Sequence, residues 1–382
     1  MTPATAICIA DLKKAARRRL PKIIFDYIEG GCEDEACIVR NAQRLRDILL
    51  TPRYLRDVSK PNQTVELFGQ SLSHPFGIAP TGMAAIARED ADLHLARAAK
   101  NAGIPFILSG ASNSSIEKVA RLHPGAWYQI YLPKSEAITR DLVKRTADAG
   151  LSTLVITIDV PAHSKRERSI RNGWVRPYKP SWAAKFEALK HPGWLYQFLR
   201  YGLPYLENWQ IYAKLGATPM DVAVLYASET PAVQTWDTFA SIREMWKGNL
   251  VLKGILHPAD AQAAVAAGVD GIIVSNHGGR QQDRSPAAAD AFPAIHKAVA
   301  GAVPLMLDSG ITRGSDILAA FCLGASMTFV GRATLYGVAA YGLAGAERAI
   351  AILSREIDIA LAQIGCPSIR DLDENYIFDE AS

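Results

Sequence analysis

Short apolar runs alternate with amphipathic stretches along most of this chain. From residue 76 onward, eight runs rich in β-branched and other apolar residues end abruptly in polar residues or glycine, a pattern typical of buried parallel strands. The predicted strands are 76–80, 105–109, 126–131, 153–159, 250–253, 271–275, 304–308 and 327–332. Stretches with helical spacing of their apolar positions follow at 89–102, 114–121, 135–149, 258–267, 287–300, 314–323 and 341–364.

Eight parallel strands, seven of them followed by a predicted helix and the fourth by a long interruption, predict a closed (β/α)8 TIM barrel, which is an α/β fold. An open, doubly wound sheet is the alternative, but the chain has no G-x-G-x-x-G between its first strand and first helix. Residues 1–75 are predicted to form a helical lead-in packed on the barrel, with two short helices within 11–30 and a hairpin around Phe68-Gly69. The barrel spans 76–375 and carries a long insertion, 160–235, after its fourth strand.

The composition narrows the class of protein. The chain has 382 residues, of which 49% are hydrophobic and 21% charged, as expected for a globular protein with a full core. A net charge of +4 is too small to indicate nucleic-acid binding. Five scattered cysteines without a C-x-x-C pair indicate reduced thiols and no metal site. We find neither a secretory signal nor an apolar run of about 18 residues, so a cytoplasmic protein is expected.

Polar residues or glycine stand at nearly every predicted strand end. In a TIM barrel the carboxyl ends of the strands meet at one mouth, where the chemistry of such folds is found. Convergence of so many polar groups predicts a site for a large polar ligand together with a reactive centre. The residues at these ends are Pro80, Thr81, Gly82, Ser109, Gln129, Tyr131, Thr157, Asp159, Lys253, Ser275, Asp308, Ser309, Gly310, Gly331 and Arg332.

The sixth predicted strand delivers the most reactive of these segments, GIIVSNHGGRQQD at 271–283. His277 exchanges a proton near neutral pH, and the fork of donors on Arg280 suits a carboxylate or phosphate. Alone, such a segment indicates a surface loop, but its place among the convergent strand ends favours a catalytic edge. Asp159 is placed to accept a hydrogen bond from one nitrogen of His277 and to raise its basicity.

Three further features predict the ligands. Glycine-rich turns before helices, Ser309-Gly310 with Arg313 and Gly331-Arg332, are typical of a phosphate site at the last two strands of a barrel. Lys253 is placed to stabilise negative charge on a ring. Arg166 and Arg280 form a pair suited to a carboxylate, although the charged run around Arg166 is also compatible with a solvated cluster. Flavin mononucleotide (FMN) beside a small acid fits this set best.

These residues resemble the FMN-dependent α-hydroxy-acid dehydrogenases and oxidases. The resemblance runs through SNHGGRQ at 275–281, APTG at 79–82, TID at 157–159, DSG at 308–310 and GR at 331–332, and it covers about residues 11 to 375. Further stretches resemble the members that oxidise mandelate, namely LSGASN at 108–113, RATLYG at 332–337 and LAQIGCP at 361–367.

The resemblance implies a role for each matching residue. His277 is the base and Asp159 its partner, with Tyr131 and Lys253 also assigned to catalysis. Tyr27, Tyr131, Arg166 and Arg280 hold the substrate, although the position of Tyr27 near a helix end would by itself indicate packing. Pro80, Thr81, Gly82, Ser109, Gln129, Thr157, Lys253 and Ser275 contact the flavin ring and ribityl chain, while Asp308, Ser309, Gly310, Arg313, Gly331 and Arg332 hold the phosphate.

The implied reaction is oxidation of an L-2-hydroxy acid, with two electrons passing to the flavin and then to oxygen, a quinone or a protein. Ala111 stands where members that take small acids carry a bulky aromatic residue, and Gly82 stands where the oxidases have alanine. Both differences predict room for a mandelate-like aryl acid, and Gly82 also favours a quinone-like acceptor over oxygen. A lactate-type or long-chain acid is the alternative. An FMN-barrel isomerase and a non-enzymatic phosphate-binding protein are more distant alternatives.

Two residues depart from the usual family pattern. Thr312 replaces the arginine that usually stands directly before Arg313, which weakens the predicted phosphate site, and Gln282 replaces a leucine, which we consider minor.

The insertion has two interpretations. Four of the seven tryptophans lie between Trp174 and Tyr212, together with many basic residues. This composition suits peripheral contact with the inner face of the cell membrane, and it also suits a lid with buried aromatics. A homo-oligomer, specifically a tetramer, is implied by the resemblance alone.

Overall fold

The computed structural model describes residues 2–174 and 181–378, and these residues form a TIM barrel. Two short strands, β1 (Val65–Leu67) and β2 (Gln70–Leu72), precede the barrel. The barrel strands are β3 (Phe76–Ile78), β4 (Ile107–Leu108), β5 (Trp127–Ile130), β6 (Thr153–Thr157), β7 (Asn249–Ile255), β8 (Gly271–Val274), β9 (Leu305–Leu307) and β10 (Met327–Val330). The prediction of eight parallel strands is therefore confirmed within the described part of the chain.

The barrel strands pair in parallel in the order β3, β10, β9, β8, β7, β6, β5, β4. A bridge between Ile78 and Phe106 joins the two ends of this series, because the amide of Ile78 donates to the carbonyl of Pro105 at 2.9 Å. Most observed strands stop one or more residues before the predicted ends. The polar terminal residues leave the ladder there and turn toward the mouth of the barrel.

Helices surround the sheet, and further helices belong to the lead-in and to the insertion. Those in the first half of the chain are α1 (Ile9–Arg19), α2 (Lys22–Glu29), α3 (Ala36–Asp47), α4 (Ala91–Asn101), α5 (Ile116–Leu122), α6 (Glu136–Asp148), α7 (Glu167–Arg171), α8 (Trp182–Ala188) and α9 (Pro192–Tyr201). The others are α10 (Glu207–Gln210), α11 (Pro219–Glu229), α12 (Trp236–Met245), α13 (Pro258–Ala266), α14 (Ala288–Val299), α15 (Gly314–Cys322), α16 (Arg332–Tyr341) and α17 (Leu343–Gln363).

The structure corrects the sequence-based assignment in two places. The long helix predicted at 341–364 is α17, and a separate helix, α16, begins directly after the last strand. Gly342 lies between them with a φ of 64°, a left-handed conformation that ends one helix and redirects the chain. Helix α3 was not predicted at all, because residues 32–75 show only a weak periodicity.

The predicted hairpin forms and closes the lower end of the barrel. Its turn residues, Phe68 and Gly69, both have positive φ, as a two-residue hairpin turn requires. The ring of Phe68 packs on Trp127 with centroids 5.6 Å apart, and Trp127 packs on Phe329 at 5.3 Å. Because aromatic side chains fill this end, the opposite mouth is where a ligand can enter.

The insertion lies between β6 and the barrel helix α12, and its described part is helical. Helices α8 and α9 pack against each other, and so do α10 and α11. No helix in the described part of the chain combines the length and the hydropathy that crossing a membrane needs.

Candidate active site

A cavity of about 710 Å³ opens at the carboxyl ends of the barrel strands. Its floor is formed by strand ends and its walls by the lead-in helices and the insertion. The predicted residues that line it directly are Tyr27, Pro80, Thr81, Gly82, Tyr131, Arg166, Lys253, His277, Arg280, Asp308, Ser309, Gly310, Gly331 and Arg332. The other predicted residues are not part of this lining, namely Ser109, Gln129, Thr157, Asp159, Ser275 and Arg313.

The turn after β8 projects His277 into the cavity. Residues 277 to 279 all have positive φ, so the chain turns in left-handed steps and exposes the imidazole. A side chain at Gly279 would lie 2.7 Å from the amide nitrogen of Ile38, so only glycine permits α3 to approach this turn. Hydroxyl groups fix the turn from below, because the amides of His277 and Gly278 donate to Ser275 and Ser309.

His277 is held between an acid and a phenol. Its Nδ1 lies 2.9 Å from Oδ1 of Asp159, and its Nε2 lies 3.2 Å from the hydroxyl of Tyr131. Because the carboxylate only accepts, Nδ1 carries the hydrogen and Nε2 is left with its lone pair toward the cavity. Burial lowers the pKa of His277 and outweighs the opposing effect of Asp159, so the imidazole is neutral at pH 7.

Asp159 is a carboxylate in this arrangement. Burial alone would raise its pKa, but the His277 ring and the charge of Lys253 outweigh burial and hold the pKa below its ordinary value. Burial also raises the pKa of Tyr131 well above that of a free phenol, so its hydroxyl stays protonated. The site therefore contains a base with its orienting anion and a neighbouring hydroxyl donor.

Two arginines bring positive charge that no carboxylate neutralises among the described residues. Arg280 donates to the carbonyls of Tyr27 and Gly30 at 2.9 and 2.8 Å, and Arg166 donates to Oε1 of Gln281 at 3.1 Å. Burial, reinforced by the charge of Arg166, lowers the pKa of Arg280 to about 9. Two cations with only neutral acceptors near the base form a site for an anion such as a carboxylate. Tyr27 lies under Arg280, with the guanidinium carbon 5.3 Å from its ring centre.

Lys253 is buried and paired. Its Nζ lies 2.8 Å from Oδ2 of Asp308 and 2.7 Å from the hydroxyl of Ser275. This ion pair connects β7, β8 and β9 across the floor of the cavity. The ammonium group thus has a fixed position at the cavity surface, where it can face negative charge on a bound ring.

Buried polar atoms without partners indicate where a planar polar ligand would bind. Among the described residues, Oγ1 of Thr81, Nε2 of Gln129 and Oγ1 of Thr157 are buried and make no hydrogen bond. A buried polar atom without a hydrogen-bond partner destabilises the folded protein by about 1–3 kcal/mol. Such an atom therefore indicates that a bound ligand supplies its partner. The amide and two hydroxyls come from three strand ends below the cavity, and they suit the polar edge of an isoalloxazine ring. The residues present therefore fit FMN.

The phosphate end differs from the prediction in one residue. Ser309, Gly310, Gly331 and Arg332 line the cavity as predicted, but Arg313 does not. Residue 313 is the N-cap of α15 in an extended conformation, which directs its half-exposed side chain to Glu356 at 3.3 Å. This placement corrects the assignment of Arg313 to the phosphate site.

Several cavity residues were not predicted from the sequence. Met83, Trp174, Tyr226 and Gln234 line the part of the cavity near His277, and Ile38, Asn41, Ala42 and Arg46 line the part near Gly310. The first group comes mostly from the insertion and the second from α3. Neither group stands at a strand end, so the signal that located the other residues was absent for them.

Comparison with known proteins extends this description. Residues 16–379 match the model of the FMN-dependent dehydrogenase family. The chain is 39% identical to (S)-mandelate dehydrogenase of Pseudomonas putida over 97% of this chain and 94% of the relative. It is 38% identical to L-lactate dehydrogenase of Xanthobacter autotrophicus, over 97% of this chain and 96% of that protein.

The fold also matches a solved structure closely. A crystal structure of (S)-mandelate dehydrogenase, described as a monotopic membrane protein, superposes with a TM-score of 0.95 and 38% sequence identity. The match covers 98% of this chain and all of the other. Relatives of nearly equal identity thus carry different substrate names, so identity alone does not select the acid.

Proposed function

Because this chain belongs to the FMN-dependent dehydrogenase family, we propose that it oxidises L-2-hydroxy acids with aryl side chains, such as mandelate, to 2-oxo acids. The observation that carries the proposal is the His277–Asp159 pair facing two arginines whose charge no described carboxylate neutralises. The test is substrate-dependent bleaching of the flavin absorbance in the absence of oxygen.

Each residue has a defined task in this proposal. Arg166 and Arg280 bind the carboxylate of the substrate and orient its α-carbon toward the base. Nε2 of His277 takes a proton from the substrate, and Asp159 stabilises the imidazolium that forms. The hydroxyl of Tyr131 lies beside the same nitrogen and can hydrogen-bond the substrate oxygen. FMN, when bound, would accept the two electrons that the substrate loses.

The pH dependence follows from the state of His277. Its lowered pKa keeps the imidazole neutral and able to accept a proton at pH 7. As the pH falls through this lowered pKa, the base is protonated, so we expect kcat/KM to fall on the acidic side, with its midpoint below the ordinary histidine value of about 6.5.

Asp159→Asn removes the carboxylate that opposes the effect of burial on the pKa of His277. The midpoint in kcat/KM profiles should shift further to acidic pH, and an unchanged midpoint would argue against this pairing.

The space beside the base favours a large substrate side chain. Ala111 and Gly82 both line the cavity, and a side chain at Gly82 would lie 2.9 Å from Cβ of Ala111. Both residues are small, and the aromatic residues Tyr226 and Trp174 line the same cavity. Burying a phenyl ring there instead of a methyl group is worth roughly 2–3 kcal/mol. Lactate-type activity is the second candidate, supported by the L-lactate dehydrogenase relatives.

The acceptor is proposed to be a quinone at a membrane surface. Helices α8 and α9 and the residues just after each of them carry exposed apolar side chains, here called the patch: Trp182, Phe186, Leu189, Tyr196, Leu199 and Leu203, with exposures from 37% to 75%. An apolar cavity of about 400 Å³ lies under these helices and shares Met83 and Trp174 with the active-site cavity. The patch suits lipid contact, and the shared wall gives an apolar ligand a place beside the active-site cavity.

Both interpretations of the insertion have support, each from different residues. Trp194 and Trp209 are buried and donate to the carbonyls of Ile86 and Gly110, as expected for a lid. The patch residues are exposed, as expected for a membrane contact. Residues 175–180 of the predicted segment lie outside the described residues.

We expect the patch to bind anionic lipid vesicles. Replacing Trp182, Phe186 and Leu199 with serine should lower the vesicle-bound fraction at least tenfold in sedimentation, because each side chain contributes roughly 1.5–3 kcal/mol when fully buried in an apolar phase. The matched control replaces Val39, Tyr54 and Leu55, which are also exposed but lie in the lead-in. Failure of the intact protein to sediment, or equal binding by both triple variants, would contradict the proposal.

A further inference from the structure

Arg46 lies on the side of α3 that faces the active-site cavity. The residues of α3 that line the cavity are Ile38, Asn41, Ala42 and Arg46, a spacing that places all four on one face of the helix. This face covers the turn at Gly310, because a side chain there would lie 2.9 Å from the carbonyl carbon of Asn41. Arg46 therefore projects at the end of the cavity formed by the turns after β9 and β10.

Of the other cations along this cavity, two are paired with carboxylates and a third donates to backbone carbonyls. Lys13 pairs with Glu29, and Lys253 pairs with Asp308. Arg332 donates to the carbonyls of Ile28, Gly278 and Gly30. Arg46 makes no hydrogen bond and no ion pair with any described residue. Its charge acts on Asp316. Burial raises the pKa of Asp316, and the charge of Arg46 offsets part of that rise.

The start of α15 cannot serve a phosphate in the usual way. The carboxylate of Asp316 accepts hydrogen bonds from the amides of Thr312 and Arg313, and the amide of Gly314 donates to Glu356. These backbone donors are therefore used within the protein, and the Arg313 side chain also turns to Glu356. Thr312 adds no charge. At this helix start, where the sequence predicts an anion, the amides of residues 312 to 314 are thus already used and the Arg313 side chain is paired with Glu356.

We propose that Arg46 binds the phosphate of FMN and supplies, from a helix outside the barrel, the positive charge that residue 312 lacks. Arg46 and Arg332 both line the cavity, and the helix that carries Arg46 packs against the Gly310 turn. A charged hydrogen bond of this kind raises the affinity for phosphate about tenfold or more. Salt screens part of this gain because Arg46 is exposed.

The test uses the full-length protein, purified with its flavin and then freed of it by dialysis. Binding of FMN and of riboflavin is followed by quenching of flavin fluorescence. Arg46→Ala should raise the Kd of FMN about tenfold at low ionic strength and leave the Kd of riboflavin, which has no phosphate, within twofold. The loss should shrink as salt is added.

Three further variants sharpen the test. Arg44→Ala is the matched control, because Arg44 is on the same helix but pairs with Asp290. Arg313→Ala should also leave FMN binding unchanged. Thr312→Arg added to Arg46→Ala should restore FMN affinity by returning a cation to the turn. Unchanged FMN affinity in Arg46→Ala, or an equal loss of FMN and riboflavin that indicates a disturbed α3, would overturn the proposal.

Discussion

Replacing His277 with asparagine should leave FMN bound and slow flavin reduction by substrate about 10²–10⁴-fold. The substitution removes the nitrogen that accepts the substrate proton, and loss of a general base costs a rate of this order. The flavin-binding residues are untouched, since Lys253, Asp308 and the Gly310 turn do not bond to the imidazole. Anaerobic stopped-flow at the flavin absorbance maximum measures the rate directly.

The matched control for this experiment is His257→Asn. His257 caps α13 through its ring nitrogen and lies outside the cavity, and asparagine is itself a good helix cap. This variant should reduce its flavin at the rate of the parent protein. If His277→Asn also stayed within tenfold of the parent, the assignment of the base would be wrong.

Replacing Ala111 with tryptophan should reverse the preference between mandelate and lactate. Ala111 is 9% exposed and lines the cavity beside Gly82, so a large ring at this position fills the space proposed for the aryl group. The loss of roughly 2–3 kcal/mol of burial lowers kcat/KM for mandelate by tens to hundreds of fold. A small acid does not use that space and should lose little.

Lactate is the internal control in the same experiment. A lactate rate near that of the parent shows that the fold, the flavin and the base remain intact in the variant. Equal losses with both acids would mean that residue 111 supports the site without bordering the aryl group. A gain with mandelate would place the aryl group elsewhere in the cavity.

The residues predicted best from the sequence are those at strand ends. His277, Asp159, Lys253 and Arg280 follow directly from the eightfold pattern, because parallel strands of a barrel end at one mouth whatever the details of packing. Their hydrogen bonds and burial in the structure agree with the geometry that the pattern requires.

Residues on helices and in the insertion were not accessible in the same way. Arg46 enters the cavity only because α3 packs over Gly310, and Tyr226 only because α11 folds back toward the mouth. Such tertiary contacts leave no periodic signal. Arg313 was misassigned because the direction of a side chain at a helix N-cap depends on its three-dimensional neighbours, here Glu356.

The central claim is tested most directly by the visible spectrum of the purified protein without oxygen. We predict a yellow protein whose flavin band bleaches when (S)-mandelate is added. Bleaching should be faster with (S)-mandelate than with L-lactate, glycolate or 2-hydroxyoctanoate. The enantiomer (R)-mandelate should leave the band unchanged. An FMN-barrel isomerase would keep its oxidised spectrum with every acid, and a phosphate-binding protein would be colourless. A flavin that none of the L-2-hydroxy acids bleaches would contradict the account, and fastest bleaching by lactate or glycolate would refute the choice of an aryl acid.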